Sequence, residues 1–293
     1  MEKCNINKVI TTVLKVANIA ILCAFTIIVT FFATDYNFYV TTFKHLNPNT
    51  IAMISLMALI IWFIFSDYET NKKDIILLVV LIVDVVYIVS ITKGRTSLLG
   101  LVFICLLILS PKKIFTKVFA KKWTALVMVV FGLVIPIVYL HLYNLGLNLV
   151  FGGESLYTGR EEVWRNLFTQ LSDGGVFNCL FGIGSDAEIF GNGFGAHNSY
   201  YSVIGCFGVS GFLLYGLFFI KKIEPLYYFT NDAIVRRSIM AFYVLLILSC
   251  FEVINLISLG MFSIFLPIGL GLSRARELNS KKNMCADISI VSL

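Results

Sequence analysis

Long apolar runs separated by short polar segments dominate the hydropathy pattern of this chain of 293 residues. The runs are continuous and do not alternate with a period of two, which favours membrane helices over a β-barrel. A helix needs ~20 apolar residues to cross a bilayer, and eight runs approach or reach that length. The predicted spans are Val9–Phe32, Pro48–Phe65, Ile75–Thr92, Ser97–Ser110, Trp123–Tyr143, Ser199–Ile220, Ser238–Ile257 and Ser258–Leu272. The fourth and the eighth are short, which suits a tilted or partly re-entrant segment.

The composition supports the same class of protein. The chain is 58% hydrophobic and 14% charged, with a mean hydropathy of +0.89, whereas soluble domains average ~25% charged and ~45–50% apolar residues. We therefore predict an all-α, polytopic integral membrane protein. The first apolar run exceeds the ~7–15 residues of a signal-peptide core and lacks a clear A-x-A site, so we interpret it as an uncleaved span.

Basic residues are distributed unevenly among the predicted loops. One set of loops and both tails hold seventeen Lys and Arg, whereas the other set holds Lys44, Lys93, Arg95, Arg160 and Arg165. The positive-inside rule places the richer set, and with it both termini, in the cytoplasm. This distribution accounts for the net charge of +6, which therefore does not indicate a nucleic-acid partner. The seven cysteines lack C-x-x-C or C-x-x-H spacing, so neither a structural zinc site nor a disulfide framework is predicted.

The predicted organisation has four parts. A transmembrane bundle of five spans covers 1–143, an outward loop covers 144–198, three further spans cover 199–272 and a cytoplasmic tail covers 273–293. Long loops in compact proteins tend to be functional or disordered, and this one is rich in aromatic and aliphatic residues, so we expect it to be ordered. The tail is polar, and we expect it to be disordered. Between spans four and five, PKKIFTKVFAKK fits a helix in the cytoplasmic headgroups or, equally, a plain connector.

The outward loop contains the pattern of one short amphipathic helix. Thr158 and Glu161 have the spacing of a capping box, which predicts a helix start at Gly159. Asp173-Gly174-Gly175 predicts its end. The apolar positions at helical spacing are Val163, Trp164, Leu167, Phe168 and Leu171. We expect this helix to lie on the outer membrane surface with Trp164 at headgroup depth. Further on, the GxG of FGIGS is interpreted as a turn with close backbone approach, because it lacks the context of a nucleotide fingerprint.

Three cationic residues on the outward side suggest an anion site. Arg160 lies in the first turn of the predicted helix, where free N–H groups and the helix dipole already favour anions, and its planar fork matches phosphate oxygens. Lys93 and Arg95 lie in a very short outward turn, where the positive-inside rule disfavours cations most strongly. The alternatives are pairing of Arg160 with lipid phosphate or with a neighbouring glutamate, and snorkelling of Lys93 and Arg95 to the headgroups.

His197 is a candidate general base. It opens the sixth span after a glycine-rich segment, and imidazole titrates near neutral pH and can take a proton from a hydroxyl. A structural role at the helix start is the alternative, and Asn198 and Ser199 can cap that helix.

Ionisable residues inside spans are costly, by ~2.5–3.5 kcal/mol at a helix centre on insertion scales, and usually face a cavity or a partner. Lys15, Asp84 and Glu252 are of this kind. We expect Asp84 to pair with Lys15. Glu252 either points into an outward cavity or bonds a buried Tyr or Asn. A proton-coupled transporter would also use such residues.

Four segments carry a resemblance to a known family: TKGRTSLLGL, TGREEVW, LFGIG and AHNSYYSVIGCFGVSGFLLYGLF. Their order and spacing, over roughly Thr92 to Leu272, resemble the bacterial O-antigen and capsule polymerase/ligase superfamily, which includes Wzy-type repeat-unit polymerases. The resemblance implies a fold of the glycosyltransferase class C type in the bacterial cytoplasmic membrane. It also implies transfer of a glycan from undecaprenyl pyrophosphate onto a sugar hydroxyl, without nucleotide sugar, cofactor or required metal. Most members are longer, and the shortage here lies on the amino-terminal side.

The same resemblance assigns roles to residues of this chain. Arg95 matches the arginine of the short outer turn, Arg160 that of the GR-x-x-x-W loop and His197 that of the HN-x-Y motif, which implies that the arginines bind pyrophosphate and the histidine activates the acceptor. The residues predicted to contact the substrate are Lys93, Trp164, Asn198, Tyr200 and Glu252. The expected partners are the lipid-linked oligosaccharide, membrane lipid, a chain-length regulator and a flippase.

Two other functions share these features. A ligase would use the same chemistry to move a finished glycan to another acceptor. A flippase or exporter of the lipid-linked glycan would instead depend on the polar residues inside the spans.

Overall fold

The computed structural model describes residues 2–34, 48–147, 150–151, 154–155, 159–184, 197–252 and 265–291. These residues form helices almost throughout. The helices are α1 (Glu2–Thr34), α2 (Pro48–Phe65), α3 (Lys72–Thr92), α4 (Arg95–Leu109), α5 (Lys112–Val118), α6 (Lys122–Asn144), α7 (Arg160–Asp173), α8 (Gly175–Phe181), α9 (Ser199–Tyr227), α10 (Ala233–Leu248) and α11 (Phe265–Val291). Two strands of two residues, β1 (Val150–Phe151) and β2 (Glu154–Ser155), pair in antiparallel register within the long predicted loop.

Within the described residues, five helices are long and apolar enough to cross a membrane. They are Val9–Phe31 of α1, all of α2 and α3, Trp123–Asn144 of α6, and α9. A sixth candidate is the pair α4 and α5 taken together, which is broken at Ser110 and Pro111. The predicted class of helical membrane protein is consistent with this set. The predicted seventh and eighth spans fall partly on residues outside the described ranges.

Apolar side chains on the outside of these helices follow the pattern expected for contact with lipid. Helix α3 exposes Ile76 and Val83 while it buries Leu78 and Val85. Both faces are hydrophobic, because lipid tails are as apolar as the protein interior. Helix α2 is buried over most of its length, and so are residues 235–246 of α10.

The chain divides into two compact units. Unit 1 comprises residues 1–110, 231–244 and 269–293, and unit 2 comprises residues 111–230 and 245–268. In unit 1, α2 packs against α1, α3 and α4. Of the two alternatives left open for the segment between spans four and five, a helix and a plain connector, the structure has a helix, α5, in unit 2. Its Phe115 is buried and stacks on Phe119, whereas Ile114 and Val118 are exposed.

The expected pairing of Lys15 with Asp84 is wrong. Lys15 Nζ lies 3.2 Å from Asp74 Oδ2, and Asp84 Oδ1 accepts a hydrogen bond from Thr26 Oγ1 at 2.5 Å. The two aspartates are ten residues apart on α3, which is about 15 Å along the helix axis. Each therefore meets whichever residue of α1 lies at its own level.

Two buried arginines of α10 bind the segment between α2 and α3 in unit 1. Arg236 pairs with Glu69, and Arg237 lies over the Tyr68 ring at 5.8 Å and donates to the carbonyl oxygen of Phe63 at 3.4 Å. Burial raises the pKa of the Tyr68 hydroxyl, and the neighbouring Glu69 carboxylate adds to that effect. The loop between α2 and α3 is thus bound to the start of α10.

The described part of the tail, residues 273–291, is helical, whereas the composition of the tail predicted disorder. Helix α11 continues to Val291 without a glycine or proline after Gly271. Arg274 holds its first half in place, since it pairs with Asp232 at 3.0 Å and with Glu277 at 2.8 Å. Low hydrophobicity predicted disorder here, but the first part of the tail, residues 274–278 (RAREL), consists of strong helix formers.

Candidate active site

Unit 2 brings together three of the predicted site residues. Glu252 Oε1 accepts a hydrogen bond from Arg160 Nη2 at 3.2 Å. The other carboxylate oxygen, Glu252 Oε2, lies 3.9 Å from His197 Nδ1. The side chains of Arg160, Glu252 and His197 are 22%, 26% and 34% exposed. Each of the three side chains is therefore only partly buried.

Arg160 is placed by the start of α7. Gly159 precedes it with a φ of 84°, a left-handed conformation that favours glycine. The Gly159 N–H donates to Glu161 Oε1 at 3.1 Å, so the glutamate of the predicted capping box does satisfy a donor at this helix start. Its predicted partner, Thr158, lies outside the described residues. The helix begins one residue later than predicted, and its predicted end at Asp173 is confirmed.

The predicted apolar face of α7 is confirmed, and Trp164 on this face packs against protein. Its ring is only 1% exposed. It meets Tyr139 of α6 edge-on at 5.3 Å and stacks on Tyr201 of α9 at 6.5 Å. Leu167, Leu171 and Tyr201 form a buried cluster beside it. The face packs against protein because aromatic side chains of α6 and α9 lie next to it. The spacing of apolar residues within one helix cannot predict such neighbours.

Asn198 fixes the backbone next to His197. Its Oδ1 accepts hydrogen bonds from the N–H groups of Tyr200 at 2.9 Å and Tyr201 at 3.0 Å, which confirms the predicted helix cap. Its Nδ2 donates to the carbonyl oxygens of Gly132 at 3.1 Å and Cys250 at 2.8 Å. One buried amide thus joins the start of α9 to α6 and to the turn after α10.

The start of α9 is also bonded directly to the segment that carries Glu252. The Ser199 N–H donates to Ser249 O at 2.8 Å, and Ser199 Oγ donates to Glu252 O at 2.9 Å. His197, two residues earlier, has a φ of 48°, a left-handed conformation that is uncommon for a residue with a side chain. The approach of His197 to Glu252 is therefore set by the hydrogen bonds of Asn198 and Ser199 to the segment 249–252.

We expect Asn198→Ala to destabilise the protein by roughly 1–3 kcal/mol, because it removes a helix cap and leaves buried polar groups without partners. Thermal unfolding in detergent should show a lower midpoint. Asn166→Ala is the matched control, since Asn166 is exposed on α7 and accepts only from Gln170 among the hydrogen bonds described for it. Equal midpoints for the two variants would contradict the anchoring role.

Three residues predicted to contact the substrate are buried in the protein next to the candidate site. Trp164, Asn198 and Tyr200 are buried. The Tyr200 hydroxyl donates to Leu246 O at 2.9 Å, and its ring lies so close to Gly132 that a Cβ there would clash with it. The structure thus gives these side chains packing roles. Gly132 was not singled out in the sequence, although a glycine inside an apolar run is a signal of close approach.

The turn with Lys93 and Arg95 lies in unit 1. Helix α3 ends at Thr92, Lys93 takes a left-handed conformation with a φ of 53°, and α4 begins at Arg95. Gly94 faces α2, where a Cβ would approach the side chain of Ala52 to 2.6 Å. The predicted short turn is thereby confirmed. Because Arg95 belongs to the other unit, its action together with Arg160 and His197 stays a prediction.

The cluster in unit 2 has the elements of a general base with a cationic neighbour. A carboxylate beside Nδ1 favours the ring orientation in which Nε2 is turned to accept a proton. The separation of 3.9 Å is an electrostatic contact, longer than a hydrogen bond. Arg160 adds N–H donors suited to a phosphate or carboxylate. Within the described residues, no group of three or more His, Cys, Asp or Glu side chains is arranged to hold a metal ion.

Comparison with known proteins adds no assignment. The chain matches no protein-family model, no curated protein and no solved structure. Its function is therefore argued from the geometry of this site and the class of the fold.

Proposed function

We propose that this protein is a bacterial membrane glycosyltransferase that polymerises oligosaccharide repeat units carried on undecaprenyl pyrophosphate. The observation that supports it best is the Glu252 carboxylate, which contacts both the Arg160 guanidinium and the His197 imidazole. In such a reaction a hydroxyl attacks a sugar and pyrophosphate leaves. A base is needed to accept the hydroxyl proton, and a cation is needed to stabilise the negative charge on the pyrophosphate. The proposal includes a bundle of eight spans of the glycosyltransferase class C type, with the site on the outer face and both termini in the cytoplasm.

In the proposed reaction, a hydroxyl oxygen of the acceptor sugar attacks the anomeric carbon of the donor. A new glycosidic bond forms, and the bond between the anomeric carbon and the pyrophosphate oxygen breaks. His197 takes the hydroxyl proton, and undecaprenyl pyrophosphate leaves with the bonding electron pair. Attack from the side opposite the leaving group inverts the anomeric centre.

Arg160 is proposed to hold the pyrophosphate as negative charge develops on it. Its Nη2 donates to Glu252, but a guanidinium has five N–H donors. One arginine can therefore bond the carboxylate and phosphate oxygens at the same time. Arg95, with Lys93 in the same turn, lies in unit 1, and its binding of pyrophosphate stays a prediction of the resemblance.

Glu252 is proposed to orient His197 and Arg160 relative to one another. Its own main chain is fixed by the hydrogen bond from Ser199 Oγ and by its N–H bond to Leu248 O at 2.9 Å. A carboxylate held at both its backbone and its side chain is suited to positioning two catalytic groups, because little freedom remains to be lost on binding.

The direct test is reconstitution. The purified protein in liposomes is supplied with undecaprenyl-pyrophosphate-linked repeat units of the producing strain, and the products are separated by size. We expect a ladder of longer glycans together with released undecaprenyl pyrophosphate. Transfer of pre-formed polymer onto another acceptor without any ladder would assign a ligase. Movement of intact substrate across the bilayer without bond formation would assign a flippase.

A further inference from the structure

Helix α9 is interrupted where α8 meets it. Gly208 has a φ of 67° and a ψ of −170°, which are not helical. A Cβ at Gly208 would clash with the carbonyl group of Leu180, and a Cβ at Gly182 would lie 2.5 Å from the main chain of Cys206. Glycines on both segments thus let the end of α8 touch the kink of α9 backbone to backbone. The close approach predicted for FGIGS is confirmed.

Polar main-chain groups at this junction are bonded within the protein. The Ile183 N–H donates to Gly205 O at 2.7 Å, and Ser210 Oγ donates to Leu180 O at 2.5 Å. Irregular backbone is tolerated at membrane depth only where such groups find partners inside the protein. The junction meets that requirement.

The position of the kink along α9 gives its depth. Residues 209–220 are twelve apolar or small residues that lead to the exposed Lys221 and Lys222, and they span about 18 Å. A hydrocarbon core of ~30 Å then extends about 12 Å beyond the kink. If α9 is tilted, the depth of the kink below the membrane surface at the lysine end is less than about 18 Å. Snorkelling of Lys221 and Lys222 changes this depth by a few ångströms at most. The kink, and with it the end of α8, lies within the hydrocarbon region.

The face of α8 turned away from α7 is apolar. Asn178 and Cys179 point to α7, where they donate to the carbonyl oxygens of Gln170 and Leu171. The side chains on the other face are exposed by 44–75%: Val176, Phe177, Leu180 and Phe181. On α9, which meets the end of α8, Phe207 and Leu214 are exposed as well.

We infer that Gly175–Phe181 is a re-entrant helix whose exposed face is embedded among the acyl chains of the bilayer. The sequence predicted that the long loop between the fifth and sixth spans lies outside the membrane. On this inference, part of that loop enters the membrane. Its amphipathic helix α7 is tied at its far end to an element anchored in hydrocarbon, while its first residue, Arg160, lies at the candidate site. This inference holds for a membrane-embedded chain whatever reaction the site carries out.

Fluorescence quenching tests the inference. Phe177→Trp is reconstituted into phosphatidylcholine vesicles with brominated acyl chains, and the emission of the added tryptophan is taken as the difference from the wild type. We expect this emission to be largely lost in the brominated vesicles and to be insensitive to iodide in the aqueous phase. Glu162→Trp, at an exposed position in the first turn of α7, should show the opposite response.

Val176→Trp provides a second reporter on the same face in case the first variant does not fold, because Val176 is even more exposed than Phe177. Quenching of either added tryptophan by iodide, with no loss in brominated vesicles, would place α8 in water and overturn the inference.

Discussion

Arg160→Ala is expected to reduce the rate of glycan polymerisation by about 10²–10³-fold, the usual cost of removing one well-placed donor from a developing negative charge. The loss should appear in turnover more than in the amount of donor bound, because the pyrophosphate gains charge only as its bond to the sugar breaks. It is measured as ladder formation by the reconstituted protein, at matched protein levels.

Arg165→Ala is the matched control, because Arg165 lies on the same helix, is exposed and donates to Asn144 Oδ1 at 2.9 Å. It removes an arginine of the same helix without touching Glu252, and it should retain polymerisation close to the wild-type rate. Equal losses in the two variants would assign the effect to the net charge of α7. A wild-type rate for Arg160→Ala would remove the proposed leaving-group contact.

Features that depend on one segment were predictable from the sequence. Helix α2 has the predicted bounds, Pro48–Phe65, because the length of an apolar run is enough to predict the helix that it forms. The apolar face of α7 and the Asn198 cap were found for the same reason, since each depends on residues within a turn or two of one another.

Features that depend on which helices are neighbours were not predictable in this way. Lys15 was expected to pair with Asp84, whereas it pairs with Asp74 of the same helix α3. The packing of Trp164 against Tyr139 and Tyr201 was not predicted, because these aromatic neighbours lie on other helices. The same limit applies to the candidate site. Sequence reasoning found Arg160, His197 and Glu252 separately, and only the fold shows that one carboxylate contacts the other two side chains.

The residues next to Arg160 and His197 hold the candidate site together, although its segments are distant in the sequence. Arg160 and His197 are each adjacent to a residue that shapes the local backbone, because Gly159 starts α7 and Asn198 caps α9. The hydrogen bonds of Asn198 and Ser199 to residues 249–252 then fix the distance between His197 and Glu252. A site built on rigid helix ends holds its groups more precisely than a free loop would.

His197→Ala is expected to lower the polymerisation rate by roughly 10²–10⁴-fold, the range of general acid–base catalysis by a positioned side chain. Its Nδ1 faces Glu252 at 3.9 Å, which leaves Nε2 for the acceptor hydroxyl. The rate is measured as ladder formation by the reconstituted protein, at matched protein levels.

His141→Ala distinguishes the loss of a base from the loss of any imidazole, because His141 is exposed in the last turn of α6, also in unit 2. It should keep the wild-type rate. Glu252→Gln retains the size of the side chain but not its charge, so it should give a smaller loss than His197→Ala if the carboxylate only positions the ring. If His197→Ala retained the full rate, the proton would be taken by another group, and the role proposed for the imidazole would be wrong.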